Sequence, residues 1–489
     1  MRKILLLTVL SSFLILTFHY ADGSENIDDS TNRWKAGVAR VIITPEEPIW
    51  MAGYSSRNRP SEGILHDIWA KALALEDARG ERGVLITTDL IGFSGKYISG
   101  RIRNRLKTKY GLTSSQVILS SSHTHTGPEL MRAPEDYLGR EDTIGPFSPV
   151  HREIIRKYSE KLENQIVNIV GEALNSMEPV KIFSSQGVAR FAVNRRVHNA
   201  RRSSANSDGH IEELTQSLDG PVDHSVPVIK VKKLSGKLLA VVFGYACHNT
   251  TTGSIMQISG DYAGFAQIAL EEAFPGATAM FFAGAGADQN PLPRFGGYTQ
   301  QYGKTLAAAV EKVLLDEDEL STPAWLNRMR ELTPHLITAY SEVDLKFANP
   351  PPTKDELLEV IEKSSSYPGR AKNLLYRLEQ GESLMTSYAY PVQTWQIGEQ
   401  KLVVLASEVV IDYAIRLKQI YGPDLFVMAY ANEGMGYIPS TRVLGEDRFG
   451  VFRKYEGSIS ANFTGPWASD IEMMIVLNVI RLFEQAGVE

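Results

Sequence analysis

The chain of 489 residues holds a single cysteine, Cys247, so no disulfide can form within it. Internal repeats and low-complexity tracts are absent too, which excludes solenoids and repeat arrays. Basic runs are scarce: the densest, Arg195, Arg196, Arg201 and Arg202, sits among polar residues, and the formal net charge is -6. Nucleic-acid binding calls for a broad basic face that neutralises phosphates, so nucleic acid is excluded as a partner, and no protein partner is implied. Long apolar runs are limited to Ile4 to Phe18, which follows Arg2 and Lys3 and precedes the small Ala21. That run falls short of the roughly 20 residues of a bilayer span. Residues 1–21 therefore read as a removable export signal rather than a membrane anchor. No cysteine near the cleavage region speaks for a lipid-modified N-terminus. An exported chain without disulfides fits a bacterial envelope, periplasmic or secreted, and the sequons at Asn249 and Asn462 carry little weight beside that.

What is present is an ordinary globular composition, 43% hydrophobic and 22% charged, enough for a sizeable core. Residues 22–33 form a polar leader. From Trp34 onward strand and helix patterns alternate. Apolar, β-rich runs fall at Lys35 to Ile43, Lys71 to Leu75, Val84 to Leu90, Val117 to Ser120, Leu238 to Ala246, Thr278 to Ala283, Ala389 to Ile397, Lys401 to Leu405 and Leu425 to Tyr430. Helical periodicity marks Ser99 to Tyr110, His151 to Ser176, Tyr262 to Phe274, Gln300 to Leu315, a segment beginning near Glu408, and Ile471 to Glu484. The polar stretch from about 316 to 379 reads as a helical insertion broken at Pro350-Pro351-Pro352. The alternation predicts an α/β fold, a mixed β-sheet flanked by helices, in one large catalytic domain over 34–489.

Five elements stand where strands end and loops begin, the usual place for sites in α/β enzymes. In Ser121-Ser122-His123-Thr124-His125-Thr126-Gly127-Pro128, a strand continuing through the segment would point His123 and His125 to one face. Such a pair can supply two imidazoles to a metal, or one ligand and one hydrogen-bonding group; the plain alternative is two polar loop residues. His248 follows a buried strand and is either a presented imidazole or a hydrogen-bonded core histidine, with Cys247 a packed thiol beside it. In Ala283-Gly284-Ala285-Gly286-Ala287-Asp288-Gln289-Asn290-Pro291 small residues allow close backbone approach, and Asp288 either orients a ligand or water or closes a tight turn. Glu408 is a ligand or a charge suited to a helix N-terminus. Tyr437, in Asn432-Glu433-Gly434-Met435-Gly436-Tyr437, presents a hydroxyl or covers the core.

Taken in order, these elements resemble the neutral/alkaline ceramidase family. The resemblance begins at Thr44-Pro45 and Met51-Ala52-Gly53-Tyr54 and runs through His66-Asp67, Ala70-Lys71-Ala72 and Thr88-Asp89. It is sharpest at His123-Thr124-His125-Thr126-Gly127-Pro128, where the family has His-Thr-His-Ser-Gly-Pro. It continues through Asn194-Arg195, His248, Gly260-Asp261, Asp288, Glu408 and the Asn432 to Tyr437 spacing.

The resemblance implies a Zn²⁺ ion held by His123, His248, Glu408 and Tyr437. It implies that His125 lies beside the metal and hydrogen-bonds the reacting group, and that Asn194 and Arg195 line the substrate site. Asp288, Asn290, His125 and Tyr437 are the residues it assigns to catalysis. Two imidazoles and a carboxylate suit zinc and leave room for a water of lowered pKa, and a tyrosine nearby can stabilise an oxyanion. Two departures stand out. Asn290 occupies the place of a serine implicated in catalysis in the family, and the chain ends without the family's C-terminal β-sandwich domain. The expected function is zinc-dependent hydrolysis of an amide bond in a lipid or other small N-acyl compound, with peripheral membrane contact for a lipid substrate. The alternatives are hydrolysis of an acylated sugar or other small envelope compound, and a non-catalytic binding protein on the same fold.

Overall fold

The computed structural model describes residues 33–140, 145–196, 220–295, 297–315, 329–363, 368–448, 456–457 and 466–487. The export signal, most of the polar leader and residues 316–328 lie outside the described residues.

Twelve strands in chain order build the main sheet: β1 Trp34–Ile42, β2 Trp69–Glu76, β3 Arg82–Thr88, β4 Val117–Ser121, β5 Glu178–Val188, β6 Ser225–Lys233, β7 Leu238–Tyr245, β8 Thr278–Ala283, β9 Leu336–Lys346, β10 Ser387–Ile397, β11 Gln400–Ala406 and β12 Phe426–Ala431. Their spatial order is β8-β7-β6-β5-β1-β2-β3-β4-β12-β11-β10-β9, with the short Arg330–Glu331 strand pairing beside β5. The pairs β7/β8, β3/β4 and β11/β12 are parallel and the others antiparallel, which makes the sheet mixed. β7 and β8 are apolar almost throughout and almost wholly buried, as expected of strands covered on both faces.

Helices cover two regions of the sheet. Gly95–Tyr110 and Pro149–Asn175 pack over β1 to β4, around Ile98, Ile102, Leu106, Leu162 and Ile166. Asp261–Ala273, Tyr298–Leu315, Ile411–Tyr421 and Ile471–Gln485 pack over β7, β8 and β10 to β12. A third core, including Leu73, Leu85, Ile118, Val242, Phe282, Trp395, Leu402 and Met428, draws on no helix. The sheet curls so that its inner faces meet there, and β8 touches β3, β4 and β12 without pairing with them. This curl brings the C-terminal ends of β4, β7, β8, β11 and β12 together, and Ala431 pairs with Ser120 where two of those ends meet.

The α/β class with a mixed sheet is what the alternation predicted. One expectation is corrected: the stretch 316–379 is not wholly helical. Residues 336–346 form β9, an edge strand paired along its whole length with β10; its polar outer face gives it the composition of an insertion. The helices Lys354–Glu362 and Pro368–Glu379 follow it and share a small core of their own at Leu357, Ala371 and Leu374. β5 and β6 escaped the reading because each carries a proline and several polar residues, a composition depleted in strands. Among the described residues no helix is long and apolar enough to cross a membrane.

Gly37 shows how closely the helical layer sits. A Cβ there would meet the Ala173 carbonyl oxygen at 2.1 Å, and backbone of a long helix cannot yield as a flexible side chain would. We expect Gly37→Ala to lower unfolding free energy by on the order of 1–3 kcal/mol, the range for overpacked cores. Urea denaturation checks this, and a variant as stable as the parent would contradict the packing described.

Candidate metal centre

β4 ends at Ser121, and His123 has a φ of 60°. The strand therefore does not continue through the His-Thr-His segment as strand alternation alone required. The rings converge for another reason: Thr124 and Thr126 turn the opposite way and both donate their hydroxyls to the Ser259 carbonyl, at 2.8 and 2.9 Å. That anchor leaves His123 and His125 on the other side, with their Nε2 atoms 3.2 Å apart. Gly53, at φ 100°, lies against the His125 ring, where a Cβ would come within 2.6 Å; only glycine fits that close approach.

His248 leaves β7, and its backbone N–H donates to the Gln289 carbonyl at 3.0 Å. Its Nδ1 faces the Gly286 carbonyl at 2.9 Å and the His123 Nδ1 faces the Ile91 carbonyl at 2.7 Å. Each Nδ1 then carries the proton, and each Nε2 is left as a lone pair. Glu408 follows Ser407, which has a φ of 66°, and pairs with Tyr437 in a short parallel bridge ahead of the helix. Its Oε2 stands 3.5 Å from His123 Nε2 and 3.3 Å from His248 Nε2.

Donors around one tetrahedral zinc at about 2.0–2.1 Å are about 3.3 Å from one another, close to the separation of Glu408 Oε2 from each of the two imidazoles and of His125 Nε2 from His123 Nε2. His248 Nε2 and Glu408 Oε2 are buried and have no hydrogen-bond partner. Two acceptors so close in a dry interior repel unless positive charge lies between them, so the donor set fits a divalent cation. Burial pushes the Glu408 carboxyl up, but the neighbouring His123 and His248 outweigh it and hold its pKa well below the usual carboxylate range. Burial, with Arg195 next, lowers His248 to about 4. Burial followed by the two other imidazoles holds His125 well below its ordinary value. His125 and His248 are thereby held neutral, as ligands must be.

The candidate residues divide into two groups. His123, His125 and His248 form a cluster whose nitrogens lie within 4.8 Å of one another, with Glu408 against it. Beside them Arg195 donates to Glu456 at 2.7 Å, to the Tyr437 hydroxyl at 3.2 Å and, more weakly, to Asn290 Oδ1 at 3.5 Å. Asp288 and Asn194 play a different part. Asp288 accepts from Ile411 N at 2.9 Å, Gln289 Nε2 at 3.0 Å, Asn194 Nδ2 at 2.9 Å and Arg442 Nη2 at 3.2 Å. Asn194 also donates to the Pro221 carbonyl and accepts from Arg196 N. Both hold the framework, with their polar atoms spent inside the protein. Cys247 is buried, and burial raises its thiol pKa well above normal, as a packed thiol requires.

Tyr430 was not foreseen. Its ring lies 4.2 Å from that of His123, its φ is 53°, and its buried hydroxyl has no partner. Nothing local in Phe426–Ala431 distinguishes it from a core tyrosine. Glu129 and Arg132 were also missed. They line a cavity of about 170 Å³ over His123 and Glu408, although they follow the His-Thr-His segment closely enough for their place in the chain to have been a signal.

A buried imidazole–carboxylate cluster that could hold a metal ion thus stands at the strand ends of a curled α/β sheet. The family model for neutral/alkaline non-lysosomal ceramidase, N-terminal, matches residues 34–285, and the chain belongs to that family. It is 25% identical over 282 residues to neutral ceramidase A of Dictyostelium discoideum, covering 57% of this chain and 35% of that protein. With neutral ceramidase of Pseudomonas aeruginosa it shares 27% identity over 246 residues, 48% of this chain and 33% of the relative. The chain thus spans about a third of the length of the curated relatives it matches. The crystal structure of neutral ceramidase from Pseudomonas aeruginosa superposes with a TM-score of 0.64 at 20% identity, covering 92% of this chain and 75% of that one, which establishes a shared fold.

The Nδ1 contacts separate the histidines. His123 and His248 have theirs anchored on carbonyls, whereas His125 Nδ1 is buried without a partner. We expect His123→Ala and His248→Ala to lose bound zinc, and His125→Ala to keep most of it while turning over more slowly. Metal analysis after gel filtration checks this; loss of zinc from His125→Ala equal to that from His123→Ala would make His125 a full ligand.

Proposed function

We propose that this chain is a zinc-dependent hydrolase of N-acyl (amide) bonds, exported to the bacterial envelope or medium. The observation that carries the reading is the convergence of two anchored imidazoles and an unpartnered carboxylate oxygen beneath a cavity. His123, His248 and Glu408 would hold the ion, with Tyr437 adjacent to Glu408 through their bridge. Bound there, zinc supplies Lewis-acid polarisation of an acyl carbonyl and lowers the pKa of water.

The chain's own groups account for the rest. His125 is neutral, and its Nε2 faces the His123 Nε2 at 3.2 Å, so it can hydrogen-bond the attacking water or the departing nitrogen. Arg195, fixed by Glu456 and touching Tyr437 and Asn290, concentrates positive charge where negative charge develops on the acyl oxygen. Asn290 is buried and hydrogen-bonds through its amide oxygen. An amide can orient but cannot form a covalent acyl intermediate, so water attacks the acyl carbon directly.

The test is release of amine from a panel of N-acyl lipids and N-acyl sugars by purified protein, with and without chelator. We expect turnover that chelation abolishes and zinc restores; turnover indifferent to chelation contradicts the reading. Asn290→Ser supplies the missing hydroxyl with a smaller side chain. We expect it to raise cleavage of ceramide by about tenfold or more, as an added nucleophile would. Efficient ceramide cleavage by the unaltered protein, not improved by the substitution, would show that this position does not set the substrate.

A further inference from the structure

Beside His125 stands positive charge that no acid answers. Arg57 donates to the carbonyls of Ala52, His125 and Ile255 and lies over the Tyr54 ring at 4.9 Å. Burial lowers its pKa to about 10, which leaves it a cation at neutral pH. Arg294 is tied to the same place. Its Nη2 donates to Thr250 Oγ1 at 3.3 Å, and Thr250 follows Asn249, whose carbonyl accepts the His125 N–H at 3.3 Å. The Tyr54 ring meets the His125 ring edge-on, with centroids 5.1 Å apart. Burial pushes the pKa of the Tyr54 hydroxyl up, and the Arg294 guanidinium is the strongest charge acting against it, so the two groups are neighbours.

The hydrogen bonds of both guanidiniums end on carbonyls or a hydroxyl. Among the described residues neither guanidinium has a carboxylate partner. Asp261, the acid that acts on Tyr54, spends its oxygens on the N–H groups of Thr251, Thr252 and Tyr262 and on the Thr252 hydroxyl. Arg57 is buried, with its donors turned to backbone. Arg294 is half-buried, and of its nitrogens only Nε is both enclosed and unpartnered, so Nη1 stays open to a ligand.

Two cations without counter-charge in a partly desolvated place favour an anion. The leaving group sharpens that preference. As the C–N bond breaks, the departing nitrogen gains a proton, and a plain amine then leaves as an ammonium beside two guanidiniums. An amine that carries a carboxylate leaves with no net charge, and a guanidinium suits a carboxylate in both charge and shape. Resting on the hydrolase reading above, we propose that Arg294 binds a carboxylate on the amine half of the substrate, and that the substrate is an N-acylated amino acid. Water adds to the acyl carbon, the C–N bond breaks and a proton passes to the leaving nitrogen. The products are a carboxylic acid and a free amino acid.

The experiment compares zinc-loaded parent protein with Arg294→Gln and Arg294→Lys. The probes are N-octanoylglycine, its uncharged counterpart N-octanoylglycinamide, and N-palmitoylsphingosine. In the parent we expect N-octanoylglycine to be the best substrate, its kcat/KM about tenfold or more above that of the glycinamide. In Arg294→Gln that ratio should fall about tenfold, mainly through KM, as for a lost charged hydrogen bond, and Arg294→Lys should restore part of it. Calorimetric binding of N-octanoylglycine reads the subsite without turnover and should weaken by a similar factor in Arg294→Gln; melting curves and zinc content report that the variants are folded and loaded. Three results overturn the subsite: a parent that prefers the glycinamide or N-palmitoylsphingosine, no binding of N-octanoylglycine to the parent, or a selectivity ratio and binding unchanged in folded Arg294→Gln. Chelator-insensitive turnover, or carboxylate binding through Arg294 with no cleavage of any probe, overturns instead the hydrolase reading, so the two failures are distinct.

Discussion

Two imidazole nitrogens, each held 3.3 to 3.5 Å from one carboxylate oxygen inside the protein, form an arrangement that resists its own assembly. Each atom presents a lone pair, and His248 is neutral because burial disfavours its charged form. The chain accepts further strain at the same place. His123, Ser407 and Tyr430 all adopt left-handed backbone conformations, each costing on the order of 1–3 kcal/mol. Such residues persist only where the surroundings determine them from several sides. Ser407 N–H donates to the Glu433 carbonyl and Tyr430 N–H to the Ser407 carbonyl, so the two strained turns brace each other. A cation among the three lone pairs would turn their repulsion into the reason for the arrangement.

The rest of the architecture follows from the need to deliver those groups from distant parts of the chain. His123 leaves β4, His248 leaves β7 and Glu408 follows β11. In a flat sheet of this order the end of β7 would lie far from that of β4. The curl, filled by a core contributed by strands, removes that distance. Asp288 then locks the junction. Its carboxylate binds the first N–H of the helix Ile411–Tyr421, the Asn194 amide and Arg442, tying the loop after β8 to the segments on either side. A buried carboxylate with that many donors is a positioning device, and the histidine–glutamate cluster stands on the frame it fixes.

Much of this was legible in the chain. The apolar runs at Leu238–Tyr245 and Thr278–Ala283 identify buried strands because both faces are covered. His123, His125, His248 and Glu408 were recognisable because each stands at a strand exit and their order matches a known family. β9 was not legible: an edge strand with one solvated face reads as a polar segment. Tyr430 was hidden because its part at the site depends on which strand ends meet, and curl is a property of the whole sheet. Asp288 stands out in the sequence, but whether its lone pairs face a substrate or the protein depends on Asn194, Gln289, Ile411 and Arg442 arriving together. Periodicity carries no information about that.

Zinc-edge anomalous diffraction from crystals of the purified protein tests the central claim most directly. The account predicts one zinc peak at about 2.0–2.2 Å from His123 Nε2, His248 Nε2 and the Glu408 carboxylate. An anomalous peak elsewhere in the protein, or none among these three side chains in zinc-soaked crystals, would contradict it.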